Sequence, residues 1–154
     1  MHNSRFLAVV LAITYTAATA PAQEKKIQRS DLPAAVQETI DQQSKGATVL
    51  GFSKETEHGQ TLYEAELAIK GRSKDISMDA NGKVVEIEEE VPLDSLIDAV
   101  KQGLQDRAGK GKIGKVESLT KNGKLVAYEA QVKTGTKKSE IQVGPDGKQL
   151  AHEE

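Results

Sequence analysis

YEAELAIKGRSKDISMDANGKVVEIEE, Tyr63 to Glu89, and YEAQVKTGTKKSEIQVGPDGKQLAHEE, Tyr128 to Glu154, align without a gap at a spacing of 65 positions. Ile76 falls on Ile141, Met78 on Val143, Gly82-Lys83 on Gly147-Lys148 and Val85 on Leu150. Upstream the match continues at a spacing of 64, with Ala35-Val36 on Ala99-Val100, Ile40 on Leu104, Val49 on Ile113 and Phe52 on Val116. Self-similarity at one fixed spacing marks a duplicated structural unit. Two copies make a two-module protein rather than a solenoid.

Within each unit the hydrophobic period changes once. SDLPAAVQETIDQQSKG sets Leu32, Ala35, Val36 and Ile40 on one stripe, and the spacing predicts a helix with Ser30 or Asp31 as N-cap, Pro33 in the first turn and Gly46 as the stop. VPLDSLIDAVKQGLQDRAGKG repeats it with Leu93, Leu96, Ile97, Val100 and Leu104. One stripe per helix means one buried face, so each helix is expected to lie on a sheet.

The remainder reads as strands. Tyr63, Ala65, Leu67 and Ile69 alternate with Glu64, Glu66 and Lys70, the period of a half-buried strand. SKDISMD turns Ile76 and Met78 inward, and GKVVEIEEE does the same with Val85 and Ile87. Asn81-Gly82 is expected to be a two-residue hairpin turn, as are Asn122-Gly123 and Asp146-Gly147. Val49 and Phe52 stand three apart, as do Ile113 and Val116, which a bulge would explain. The expected fold is α+β: two tandem repeats, residues 30–90 and 91–154, each a helix packed on a four-stranded antiparallel meander. Residues 23–29 are a linker before the first repeat.

The opening MHNSRFLAVVLAITYTAATAPAQ has a basic residue, an apolar run from Phe6 to Ile13 and an A-x-A site, Ala20-Pro21-Ala22. That is the pattern of a signal peptide cut after Ala22, too short for a membrane span, and it implies a periplasmic or secreted protein. No transmembrane segment is expected after cleavage. Cysteine is absent, so disulfides, thiolate metal sites and cysteine nucleophiles are excluded. Residues 30–90 carry 6 basic and 13 acidic groups, residues 91–154 carry 11 and 9. Neither half is basic enough for nucleic acid. Opposite signs could help the halves dock or steer a partner.

LPAAVQETI, YEAELAI and DISMDANGKVVEIEEE together resemble the PepSY and PepSY-like domains of exported bacterial proteins, over residues 31–90 and, more weakly, 92–154. The second copy departs where Gly144-Pro145 replaces Asp79-Ala80 and His152 replaces Ile87. The resemblance implies an extracytoplasmic, non-catalytic α+β module. PepSY domains occur in propeptides of thermolysin-type peptidases, and the fold is similar to that of beta-lactamase inhibitor protein, a tandem of two such units. These motifs are signatures of fold and supply no functional residue.

Chemistry is correspondingly sparse. Asp79-Ala80-Asn81-Gly82 opens like a calcium loop, but its glycine is fourth instead of sixth and Lys83 stands at the fifth position. His58 precedes Gly59 in a turn and His152 stands in the last expected strand, which makes no metal site. AGKGKIGK, Ala108 to Lys115, follows a helix instead of preceding one and lacks the Ser/Thr of a phosphate loop. No serine sits in a nucleophile elbow. No enzyme, cofactor or metal is expected. The candidate interaction face is the outward set Glu64, Glu66, Glu86 and Glu88, for a protein partner such as a peptidase or an envelope component. The alternative is a small-ligand or divalent-cation sensor on the same carboxylates.

Overall fold

The alternation of Tyr63–Ile69 becomes the third strand of a single antiparallel sheet. In the computed structural model, which describes residues 24–57, 59–152 and 154, ten elements follow one another. They are β1 (Lys25–Ile27), α1 (Ala34–Gln43), β2 (Thr48–Glu57), β3 (Gln60–Ile69), β4 (Arg72–Met78), β5 (Val84–Glu90), α2 (Asp98–Ala108), β6 (Lys112–Lys121), β7 (Lys124–Thr134) and β8 (Lys137–Val143). The eight strands lie in the order of the chain, β1 to β8. The expected leader and His58 fall outside the described residues.

Two separate four-stranded meanders were expected; one eight-stranded sheet is found. β5 pairs with β6, from Glu86 opposite Lys121 to Glu90 opposite Glu117, and this pairing joins the halves. Residues 23–29 do not form a simple linker, because Lys25–Ile27 adds a strand against Phe52–Lys54. At the other end the fourth strand of the second unit is missing. Among the described residues of 148–154 none is in a strand, and His152, expected on an inner face, is exposed.

Directly opposed residues run in rows across the strands. One row holds Leu67, Lys74, Glu89, Ser118, Tyr128 and Val143. It passes through both apolar clusters, so α1 and α2 lie on the same face. Leu32, Val36 and Ile40 pack on Ala65, Leu67, Ile76 and Met78. Leu96, Val100 and Leu104 pack on Val116, Ala130 and Val143. Tyr63 and Tyr128 are half-buried against these two cores, one in each.

Several local expectations shift. Both bulges are present, between Val49 and Gly51 and between Ile113 and Val116. A further irregularity at Ser77/Met78 sets Val84 opposite Met78, so Val84 rather than Val85 joins the core. α1 starts after Pro33, and no Ser30 or Asp31 side chain caps it; Asp31 instead accepts from the Gln28 amide in the preceding 3-10 turn. Ile97 is the N-cap of α2 and 61% exposed, outside the core that its spacing suggested. Asn122-Gly123 has both φ values positive, as its two-residue turn requires. Asn81 does not. There the loop is longer, with the Gly82 amide donating to the Asp79 carbonyl at 2.9 Å and Gly82 alone left-handed.

That loop locks the helix to the sheet. Gly82 has φ +76, and a Cβ on it would overlap the Ala35 carbonyl oxygen of α1. Thr39 Oγ1 donates to the Gly82 carbonyl at 2.7 Å. The contact recurs in the second half, where Gly147, φ +78, meets the Ala99 carbonyl oxygen. Gly82→Ala and Gly147→Ala should each lower stability by about 2–4 kcal/mol, through left-handed strain and overpacking together. Urea denaturation measures this; a wild-type midpoint in either variant would show that the turn does not bear on the helix.

Candidate functional site

Because both helices cover one face, the side chains of alternate parity emerge on the other. The strand period places Glu64, Glu66, Glu86 and Glu88 there. Register then decides which of them meet. Glu66 is opposite Gly51 on one side and Asp75 on the other, and Asp75 is opposite Glu88. Three acids therefore stand side by side across β3, β4 and β5. A parallel row has Glu90 opposite Glu117, Glu117 opposite Glu129 and Glu129 opposite Gln142. On the far side of the first row, Glu64 is opposite Ser53 and Ser77, and Glu86 is opposite Ser77 and Lys121.

The four acids named from sequence thus share one face, yet their environments differ. Glu86 has an ion pair with Lys121, 3.5 Å away. The Glu66 carboxylate lies over the bare backbone of Gly51, with Oε1 3.6 Å from where a Cβ would be. Glu64 and Glu88 hold their protons far above the usual carboxylate range. Burial, with Asp75 and other acids adding repulsion, pushes Glu64 up to about 7. Burial, followed by the Glu86 and Glu117 charges, pushes Glu88 up to about 7. Asp75 is also raised, by burial and then by Glu117, against the opposing pull of Lys115.

Sequence reading did not find Asp75, Glu117, Glu129, Lys115 or Ser73. Each stands among other polar residues of its strand, and the β5–β6 register is what brings those of the two halves together. One carboxylate oxygen from each of Asp75, Glu88 and Glu117 lies within 4.8 Å of the other two. Glu117 is only 6% exposed. It is compensated from within the protein, since Lys115 Nζ is 2.7 Å from its Oε1. Ser73 Oγ donates to the same oxygen at 3.3 Å, and the Ser73 amide donates to Glu90 Oε2 at 3.1 Å. Burial works to lower the Lys115 pKa, but the hydrogen bond and charge of Glu117, with Asp75 and Glu90, raise it overall. Gln142 Nε2 donates to Glu129 Oε2 at 2.8 Å and so satisfies the end of the second row.

The C-terminal tail turns onto this face beside the acids. The Glu154 amide donates to Gln142 Oε1 at 2.8 Å, and Glu154 Oε2 is 3.9 Å from Lys121 Nζ. Leu150 Cδ2 lies 3.4 Å from the position of a Cβ on Gly144. Leu119 and Ala127, opposite each other on this part of the face, are buried. The acids of this face are half-buried across β3 to β5, and at β6 and β7 Glu117, Leu119 and Ala127 are buried.

The arrangement has no resemblance among sequence families: no family profile matches the chain, and no characterised protein matches it in sequence. Solved structures do match in shape. A DUF2874 family protein from Bacteroides ovatus superposes with a TM-score of 0.61 at 20% identity, over 77% of this chain and 84% of that one. A BLIP-like protein from Bacteroides fragilis gives 0.57 at 22%, over 77% and 83%. A provisionally periplasmic protein from Bacteroides eggerthii gives 0.62 at 17%, over 76% and 84%. At these identities the likeness is one of fold, and the chain has a BLIP-like α+β fold. No helix among the described residues is long and apolar enough to cross a membrane.

The raised carboxylates fix the sign of the pH dependence. The folded state binds protons at Glu64 and Glu88 more tightly than the unfolded chain, whose groups titrate near 4.5. Their contribution to stability is fully present below that value and is lost as pH rises through about 7. The melting temperature should therefore fall between about pH 5 and about pH 8. Glu88→Gln should melt several degrees above wild type at the upper pH and flatten the profile. A variant less stable than wild type at high pH would show that the ionised Glu88 has a partner.

Proposed function

We propose that this protein is an exported, non-catalytic module of the cell envelope that binds another protein through the acidic face of its sheet. The observation that carries the reading is the half-buried row Glu66–Asp75–Glu88, three acids held abreast on the face that, among the described residues, neither α1 nor α2 covers. Directly opposed like charges are unfavourable in a sheet, and a Lys- or Arg-rich surface docked on them relieves that repulsion. The leader-like residues 1–22, the BLIP-like fold and the provisionally periplasmic neighbour support the compartment. The duplicated helix-and-strands pattern supports a tandem PepSY-like relationship, which makes an extracytoplasmic peptidase the first partner to test. The non-catalytic reading rests on the sequence, which has no cysteine and no nucleophile elbow.

Affinity capture from an envelope extract tests the reading. Immobilised protein should retain a specific partner that salt releases, since exposed ion pairs are screened. The double variant Glu66→Lys/Glu88→Lys should lose it. Equal capture by wild type and variant would remove the face as the binding site.

One geometric fact favours a second reading, divalent-cation binding: the approach of Asp75, Glu88 and Glu117 within 4.8 Å. Lys115 competes with it for Glu117. A bound ion must raise the melting temperature, because it stabilises only the folded state. On this reading millimolar calcium or magnesium produces a shift that Asp75→Asn abolishes; an unchanged melting curve removes the reading.

A further inference from the structure

The two halves of the chain treat equivalent strands differently, and the difference leaves a vacant position. The β7–β8 register repeats the β3–β4 register 65 residues on. Tyr63 opposite Met78 becomes Tyr128 opposite Val143, Ala65 opposite Ile76 becomes Ala130 opposite Ile141, and Ile69 opposite Arg72 becomes Thr134 opposite Lys137. In the first half the outer side of β4 is filled by β5, with Ile87 opposite Ile76, Glu88 opposite Asp75 and Glu89 opposite Lys74. In the second half nothing takes that place. β8 ends the sheet, and among the described residues no main-chain group pairs with its outer side. Of the described residues that align with β5 in sequence, Glu154 instead meets the open face, at Gln142 and Lys121.

The charges at this edge define what would fill it. Lys112 is opposite Lys133, and Lys133 is opposite Lys138, a cross-strand row of three ammonium groups ending at the edge. None of the three has an ion-pair partner among the described residues. Like charges in such a row destabilise it unless an acid joins them. A cavity of about 520 Å³ opens beside the row, lined by Lys112, Gln131, Lys133, Lys138 and Glu140. In the first half Ser73 stands where Lys138 stands here, and Glu90 of β5 reaches it. A strand added to β8 in the β5 register would bring an acid to Lys138 as the fourth member of the row. It would also set an apolar side chain opposite Ile141, over the α2 core that Ile141 borders.

We propose that the outer edge of β8 is an acceptor for an extended segment of a partner protein, added antiparallel, apolar opposite Ile141, neutral opposite Glu140 and acidic opposite Lys138. Main-chain hydrogen bonds along Lys137–Val143 supply affinity, and the alternate side chains supply selectivity. This rests on the protein-binding reading but uses the sheet edge instead of the acidic face.

The probe is a blocked synthetic peptide with the sequence of residues 83–90 carrying Glu88→Gln, added to the purified protein and followed by NMR amide exchange and titration. Exchange should slow along residues 137–143 and stay unchanged in β1 and β2. Lys138→Glu, an exposed change that leaves the core alone, should weaken binding about tenfold, as expected when an attractive cross-strand pair becomes repulsive. Lys110→Glu should not. Glu66→Lys/Glu88→Lys should bind the peptide normally, so failure of the edge and failure of the face are separately visible. Unslowed exchange in β8 at saturating peptide overturns the proposal. So does binding that appears only after residues 148–154 are deleted, which would identify the chain's own tail as the occupant.

Discussion

The pairing of β5 with β6 is the contact on which the rest of the architecture depends. β5 and β6 are the two strands that have neighbours from both halves of the chain. Without that ladder the halves are two small units, each near the size at which a domain struggles to bury enough surface. With it the rows run unbroken from β3 to β8, both helices fall on one side, and the other side becomes a single surface. The ladder is also where the opposite charge balance of the halves is used. Lys121 from the second half pairs with Glu86 from the first. Lys115 enters the acid rows through Glu117 and approaches Ser73 Oγ at 3.5 Å. The net signs of the halves, weak as bulk quantities, act at one seam.

That seam explains why the face opposite the helices is acidic in rows. β5 is the most acidic strand, and it lies centrally, between β4 and β6. Its Glu88 meets Asp75 on one side and its Glu90 meets Glu117 on the other. The protein tolerates the crowding by three means. It keeps protons on Glu64 and Glu88 well above the ordinary range. It supplies Lys115 and Lys121 as internal cations, and it ends the rows with Ser73 and Gln142 as hydrogen-bond donors.

What could be read from sequence was what local period encodes. The two YEA strands, both bulges and the helical stripes follow from spacing within a few residues. Register between different strands does not. Nothing near Asp75 says that Glu88 will be its neighbour on one side and Glu66 on the other, and nothing in the second half announces that Glu117 completes the cluster. The errors have local physical causes. A bulge exchanges Val84 for Val85. A longer turn replaces a two-residue one because the Gly82 loop must reach Ala35. Among the described residues the second half has no fourth strand, where the apolar Ile87 of the first gives way to His152. The four acids chosen from alternation share a face, since parity is a local property; their inequality, from the ion-paired Glu86 to Glu88 with its raised pKa, is a property of neighbours.

The identity of strand order and chain order has a kinetic consequence. Each strand's partner has already been made when the strand itself appears, so no segment waits for a distant one. A chain emerging N-terminus first from a ribosome or a membrane pore can add its hairpins one at a time to a growing edge, and the loop to be closed at each step is short. α1 can seat on β2 to β4 before α2 exists. Among the described strands the last to be added is β8, so the outer edge of the sheet is the growing end of its own assembly.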